Sequence, residues 1–250
     1  MDGLPTNILP SPCDGRTSTP AEIRRGLLAS LPIALSMVPA GLVLGAQAAQ
    51  KGFSLLEVPL LAGLNFAGGS EFAAVGLWAS PPPVLLIMAI TFLVNSRHIL
   101  MGAALAPAIQ HLPRRKALPV LFLMCDESWV MGLSDARRRS EAGHSPGFSL
   151  PYYLAVSLAF YVTWVACTTL GGWLGPVLGD LRTYGLDMAF PAIFLVLLRG
   201  LWKGARAARP WLVSLVVAAL VYLFVPGGWY VVAGALSGLM AAWLLAEAER

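Results

Sequence analysis

Residues 27–49, LLASLPIALSMVPAGLVLGAQAA, contain no charged side chain. A bilayer crossing takes about 20 predominantly apolar residues, so this run alone is long enough to span. Similar runs extend from Val58 to Ala79, Val84 to Ala106, Leu118 to Leu133, Tyr152 to Leu178, Leu186 to Leu198, Trp211 to Val225 and Trp229 to Leu245. Together they predict an all-α polytopic membrane protein with about eight transmembrane segments, some broken or re-entrant. Composition agrees. Of 250 residues, 57% are hydrophobic and 12% charged, and mean hydropathy is +0.71. A soluble domain carries about 25% charged residues, and half of that cannot cover a globule of this size, which excludes a water-soluble enzyme. The runs are continuous rather than alternating, which argues against a membrane β-barrel.

The net charge of +4 sits in short clusters between the runs. Arg24-Arg25, Arg114-Arg115-Lys116 and Arg137-Arg138-Arg139 follow the bias of cytoplasmic loops towards Lys and Arg rather than a nucleic-acid surface. Eight crossings that start in the cytoplasm of a bacterial inner membrane place both termini, the 137–139 cluster, Lys203, Arg206 and Arg209 inside. The 114–116 cluster then falls outside. Either the rule is broken once, or the second run, interrupted by Gly68, Gly69 and Ser70, re-enters without crossing. Irregular backbone can do so only where it is buried in protein or lines a water cavity. Residues 1–21 are rich in Pro, Ser and Thr and lack an apolar signal-peptide core, so they are expected to form a disordered cytoplasmic tail ahead of one transmembrane domain, 22–250. Cys13, Cys125 and Cys167 are far apart and fit no disulfide framework or zinc spacing. No metal site or cofactor is expected.

Polar residues inside the apolar runs are the informative ones. Glu71 lies mid-run, Arg97 and His98 lie mid-run in the third, and Asp126-Glu127 fall at the centre of the fourth. A charge at a helix centre costs roughly 2.5 to 3.5 kcal/mol on an insertion scale, so these groups must pair, face the interior or hold a proton. Thr91, Asn95, His98 and Gly102 recur at helical spacing and form one polar stripe. Arg97 can reach Glu71, Asp126 or Glu127. Asp126, Glu127 and Arg97 make a proton-coupling set, against the plainer reading of a structural ion pair, or of an interfacial fourth run with both acids solvated. Gly68, Gly69 and Ser70 either permit close packing or form an unwound stretch whose amides and carbonyls, with Asn65, Glu71, Asn95 and His98, bind a zwitterion. A weak repeat aligns GLNFAGGSEF (63–72) on GLDMAFPAIF (185–194) and sets Asp187 and Pro191 in the matching place. Asp187 then binds substrate, or merely caps a helix.

These stretches carry a family resemblance. NFAGGSEFAAVGLWAS (65–80), TFLVNSRHILMGAALAP (91–107), CDESW (125–129), GLDMAFPAIF (185–194) and PGGWYVVAGALSGLMA (226–241) resemble the AzlC family, which includes YgaZ-type proteins. The resemblance implies the large subunit of a branched-chain amino acid exporter, acting on hydrophobic amino acids with a small AzlD-like membrane partner, and not an enzyme. Family members more often carry Gln where this chain has Glu71. The glycine faces Gly171-Gly172-Gly175 and Gly234-Gly238 either seat that partner or only pack helices within this chain. Two other classes stay open: an intramembrane enzyme built on Ser70, Ser96, His98 and Asp126, for which no motif is present, and a scaffold subunit without its own pathway.

Overall fold

The computed structural model describes residues 18–178, 204–225 and 229–248, together with positions 188, 195, 199 and 202. Residues 1–17 of the expected tail, Asp187 and Pro191 lie outside the described residues, as does nearly all of the sixth run. The described regular structure is helical: α1 (Thr19–Gln50), α2 (Glu57–Asn65), α3 (Gly68–Leu77), α4 (Val84–Asn95), α5 (Arg97–Ile109), α6 (Arg114–Phe122), α7 (Asp126–Glu141), α8 (Leu150–Leu178), α9 (Arg209–Phe224) and α10 (Trp229–Ala248). Thr19 to Ala21, at the end of the expected tail, already belong to the first turn of α1, with Pro20 in the opening positions where its missing N–H costs nothing.

Among the described residues, three stretches are long and apolar enough to cross a membrane: Thr19–Gln50, Val84–Ile109 and Leu150–Gly175. The second and fourth runs are each two short helices joined by a break, and the third is divided at Ser96. The first break was expected at Gly68, Gly69 and Ser70 but falls just before them, at Phe66 and Ala67, and those three residues are not unwound but open α3 as helix. The break in the fourth run, at Leu123 to Cys125, has no Gly or Pro in it.

Helices α1 and α8 form the central pair and run parallel. Gly26 faces Tyr152, Gly41 faces Cys167 and Gly175 faces Ala46, so the register advances in the same direction on both. Their backbones touch. A Cβ at Gly45 would collide with the Thr168 carbonyl, and one at Gly171 with the Leu42 carbonyl, which is why small residues are required there. The two glycine faces are thus filled from within: Gly171 and Gly175 by α1, Gly172 by Val58, and Gly234 and Gly238 by Ser214 and Ala218 of α9.

The short helices fold back as hairpins from opposite ends of this pair. The first, α2–α3, leaves the C-terminal end of α1 and returns to it: Lys51 Nζ donates to the Trp78 carbonyl at 3.1 Å, and the Phe53 and Trp78 rings stack with centroids 4.6 Å apart. The second, α6–α7, returns to the N-terminal end of α1. Arg25 bonds Asp135, and Ile109, Val120, Ala136, Phe148 and Tyr153 share one core there. Between the two hairpins, α4 and α5 carry the chain from one end to the other, while α9 and α10 pair with each other and α10 lies against α4.

This topology places Arg24-Arg25, Arg114-Arg115-Lys116 and Arg137 to Arg139 at one end, and the charge pattern needs no exception. In a background with Cys13, Cys125 and Cys167 replaced, single cysteines at Lys116 and Arg139 should react with an impermeant maleimide from the same side of the membrane, and one at Leu55 from the other. Labelling of 116 and 139 from opposite sides would contradict the second hairpin.

Candidate functional site

The tip of the first hairpin sits against the middle of α8. Phe66 ends α2 in the left-handed conformation, at φ 42°, a strain of about 1 to 3 kcal/mol for a residue other than Gly. Its ring is buried and meets Tyr161 edge-on at 5.1 Å, offsetting part of that cost. The freed backbone groups are then met by side chains. Tyr161 OH donates to the Gly63 carbonyl at 3.0 Å, Ser70 Oγ to the Ala67 carbonyl at 2.9 Å, and the Ala67 N–H donates to Glu71 Oε1 at 2.9 Å. The second oxygen of Glu71 accepts from Trp164 Nε1 at 2.8 Å, and the side chain is wholly enclosed. A Cβ at Gly68 would press on the Trp164 ring, so Gly68 is small because the indole lies over it.

The other two breaks lie in the same layer. Helix α4 stops at Asn95 and α5 resumes at Arg97, with Ile99 N–H bonded to the Ser96 carbonyl across a tightened turn. Asn95 Nδ2 donates to Asn65 Oδ1 at 3.0 Å, and Asn65 Nδ2 to Ser70 Oγ at 2.8 Å, tying α4 to the first tip. Arg97 reaches the second tip instead, where its NH1 lies 2.7 Å from Asp126 Oδ2. The Cys125 N–H donates to Ser128 Oγ at 2.9 Å, closing the head of α7, and Phe122 approaches Tyr161 at 6.2 Å. Tyr161 therefore touches both tips.

Asn65, Gly68, Ser70, Glu71, Asn95, Arg97 and Asp126 thus lie in one layer, with Glu127 beside Asp126 in the same turn. Asp126 and Glu127, however, do not sit at a helix centre. They open α7, where acids are favoured by the helix dipole. Arg97 selects Asp126; Glu71 instead caps its own hairpin. His98 Nδ1 donates to the Asn95 carbonyl at 3.1 Å. Ser70 bonds Ala67 and Ser96 bonds the Leu93 carbonyl, and among the described residues no serine hydroxyl is bonded to His98, as a nucleophile–base pair would require.

A second cluster escaped the sequence reading. At the N-terminal end of α1, buried Glu22 meets Arg25 at 2.7 Å, Arg139 at 3.2 Å and Ser149 Oγ at 2.6 Å. Buried Asp135 bonds Arg25 and Arg138, and the Arg25 guanidinium lies 4.0 Å above the Tyr152 ring. It pins α7 to α1 and α8. An open cavity of about 260 Å³ beside it, lined by Val130, Met131, Ser134, Asp135, Arg138 and Tyr152, lies toward the outer end of α7, away from the tips.

Residues 32–178 match the family model described as AzlC protein. A membrane protein of Archaeoglobus fulgidus is 31% identical over 90% of this chain and 97% of its own. One of Haemophilus influenzae is 26% identical over 86% and 84%, and the Bacillus subtilis protein named branched-chain amino acid transport protein AzlC is 26% identical over 73% and 68%. No solved structure matches. The chain belongs to the AzlC family and is a membrane protein.

Glu71 holds the first tip through an amide and an indole N–H. Glu71→Leu leaves both donors buried and unbonded, which should cost about 1 to 3 kcal/mol for each, read as a fall in detergent melting temperature. Glu71→Gln keeps one acceptor oxygen and should lose distinctly less. Equal losses in the two variants would contradict the capping role.

Proposed function

We propose that this AzlC-family chain is an exporter subunit that moves branched-chain or related hydrophobic amino acids out of the cell, driven by the proton gradient. The observation that carries the reading is the meeting of two hairpin tips at Tyr161, with the α4–α5 break joined to one tip through Asn95 and to the other through Arg97. Discontinuous helices whose ends converge near mid-membrane offer free amides, carbonyls and polar side chains to a solute that would not otherwise enter hydrocarbon. In this proposal Asn65, Gly68, Gly69, Ser70, Glu71, Asn95 and His98 shape the substrate site, with Asp187 from outside the described residues, and Asp126, Glu127 and Arg97 carry the coupling. The Bacillus relative's name supports the substrate class. The arginine-rich end of α1 faces the cytoplasm, with both termini on that side, because three basic clusters gather there. A small AzlD-like membrane partner completes the exporter and seats elsewhere than on the glycine faces, which the chain fills itself.

Proteoliposomes holding this chain together with the small partner should move radiolabelled leucine under an imposed pH gradient, whereas full export by this chain alone would contradict the two-subunit reading. Asp126→Asn, and Glu127→Gln with it, should abolish gradient-driven flux while the protein still inserts and stays monodisperse. Wild-type flux and unchanged pH dependence in both variants would contradict the coupling assignment.

A further inference from the structure

Arg97 stands midway along the Val84–Ile109 span, yet its ion pair is not sealed. The Arg97 and Asp126 side chains keep 35% and 32% of their surfaces exposed, whereas Glu71 in the same layer is fully enclosed. An exposed ion pair in hydrocarbon is costly and rare, so this side of the pair opens onto polar space. The pair is also incompletely used. It is made by one contact, NH1 to Oδ2, although a guanidinium can hold a carboxylate through two parallel bonds. Arg97 Nε is buried without a partner among the described residues, and so is Asn95 Oδ1. The latter is the open end of a chain of bonds running from Asn95 through Asn65 and Ser70 to the Ala67 carbonyl. An unused donor and an unused acceptor thus lie two residues apart, beside an ion pair that can open.

Resting on the amino-acid transport reading, we infer that the Arg97–Asp126 pair, beside its coupling role, forms the charged part of the substrate site and opens to admit the zwitterion. Arg97 takes the α-carboxylate, while Asp126, helped by Asn95 Oδ1, takes the α-ammonium. Charge favours the exchange. Each member of the pair trades one opposite charge for another, so neither is left buried and uncompensated, the situation that makes a broken pair so destabilising. The net charge of the layer is unchanged. A proton on Asp126 removes the counter-charge of the ammonium, so proton and substrate exclude each other, as export against an inward proton gradient requires. The neighbouring ionisable groups are otherwise engaged or adjacent. Glu127 shares the turn of Asp126, Cys125 precedes it, His98 bonds Asn95, Tyr161 bonds Gly63, and Glu71 is held by Ala67 and Trp164.

The test is binding to the full chain in lipid nanodiscs, using leucine, leucinamide, which lacks the carboxylate, and isocaproate, which lacks the amine. Wild type should bind leucine about 10 to 100 times more tightly than either analogue, the scale of one charge-assisted hydrogen bond. Arg97→Gln should erase the advantage of leucine over leucinamide but keep it over isocaproate. Asp126→Asn should do the reverse. General damage to the fold lowers all three together and cannot give this crossed pattern. If wild type binds leucine no better than its analogues, or if the variants keep both advantages, the zwitterion clamp is overturned while amino-acid binding stands. If wild type binds none of the three, the amino-acid reading falls and the clamp falls with it.

Discussion

Backbone that stops being helical in the middle of a membrane has no water to satisfy it, and the fold is organised around answering that demand. At the first tip the Gly63 carbonyl, the Ala67 N–H and the Ala67 carbonyl are met by Tyr161, Glu71 and Ser70. At the second, Ser128 serves the Cys125 N–H. Two of these supporting residues draw on α8: Tyr161 directly, and Glu71 through Trp164. The position of α8 is in turn fixed by the glycine contacts with α1. A close-packed parallel pair therefore serves as the wall on which both hairpins are held open, and the polar layer follows from where their tips are forced to stop.

The same constraint accounts for the charge pattern. Two hairpins that return to their own side leave a single change of side between α1 and α8, made by α4 and α5, and this is why α1 and α8 run parallel and why three basic clusters share one end. Glu22 and Asp135 then lie buried among three arginines, Arg25, Arg138 and Arg139, and Ser149. Removing one member would leave a charge without its partner, the costly direction for a buried network. The outer arm of the second hairpin is thereby fastened at its base, while its tip is held by the smaller and more open contact of Arg97 with Asp126.

Much of this was legible in the sequence, and the misses have physical causes. The membrane class, the presence of a break in the second run and the polar residues of the central layer could be read directly, because glycine pairs and buried charges are conspicuous in apolar runs; the break itself lies at Phe66 and Ala67, just ahead of the glycine pair. The break at Leu123 to Cys125 was hidden, since apolar residues bridge it. Its signal was the Asp126-Glu127 pair, which marks the first turn of a helix as readily as a site within one. Glu22 lies at the very start of the expected domain, and Asp135 and Ser149 between apolar runs, and only the return of α7 to α1 brings them together. Glu71 stood out correctly, but its partners, an amide four residues earlier and an indole on α8, belong to tertiary structure. The parallel pairing of α1 with α8, with Gly26 against Tyr152 and Gly41 against Cys167, could not be read from the helical periodicity of either.

The central claim is that hairpins entering from opposite sides meet at Tyr161. It is tested most directly by cross-linking Phe66→Cys to Phe122→Cys with a short bifunctional maleimide in native membranes, with Cys13, Cys125 and Cys167 replaced. Both rings lie within about 6 Å of the Tyr161 ring, at 5.1 and 6.2 Å between centroids, so the account predicts an efficient intramolecular link in the double variant. Cysteines that each react singly but never join would mean that the tips do not meet, and the polar layer would lose its structural basis.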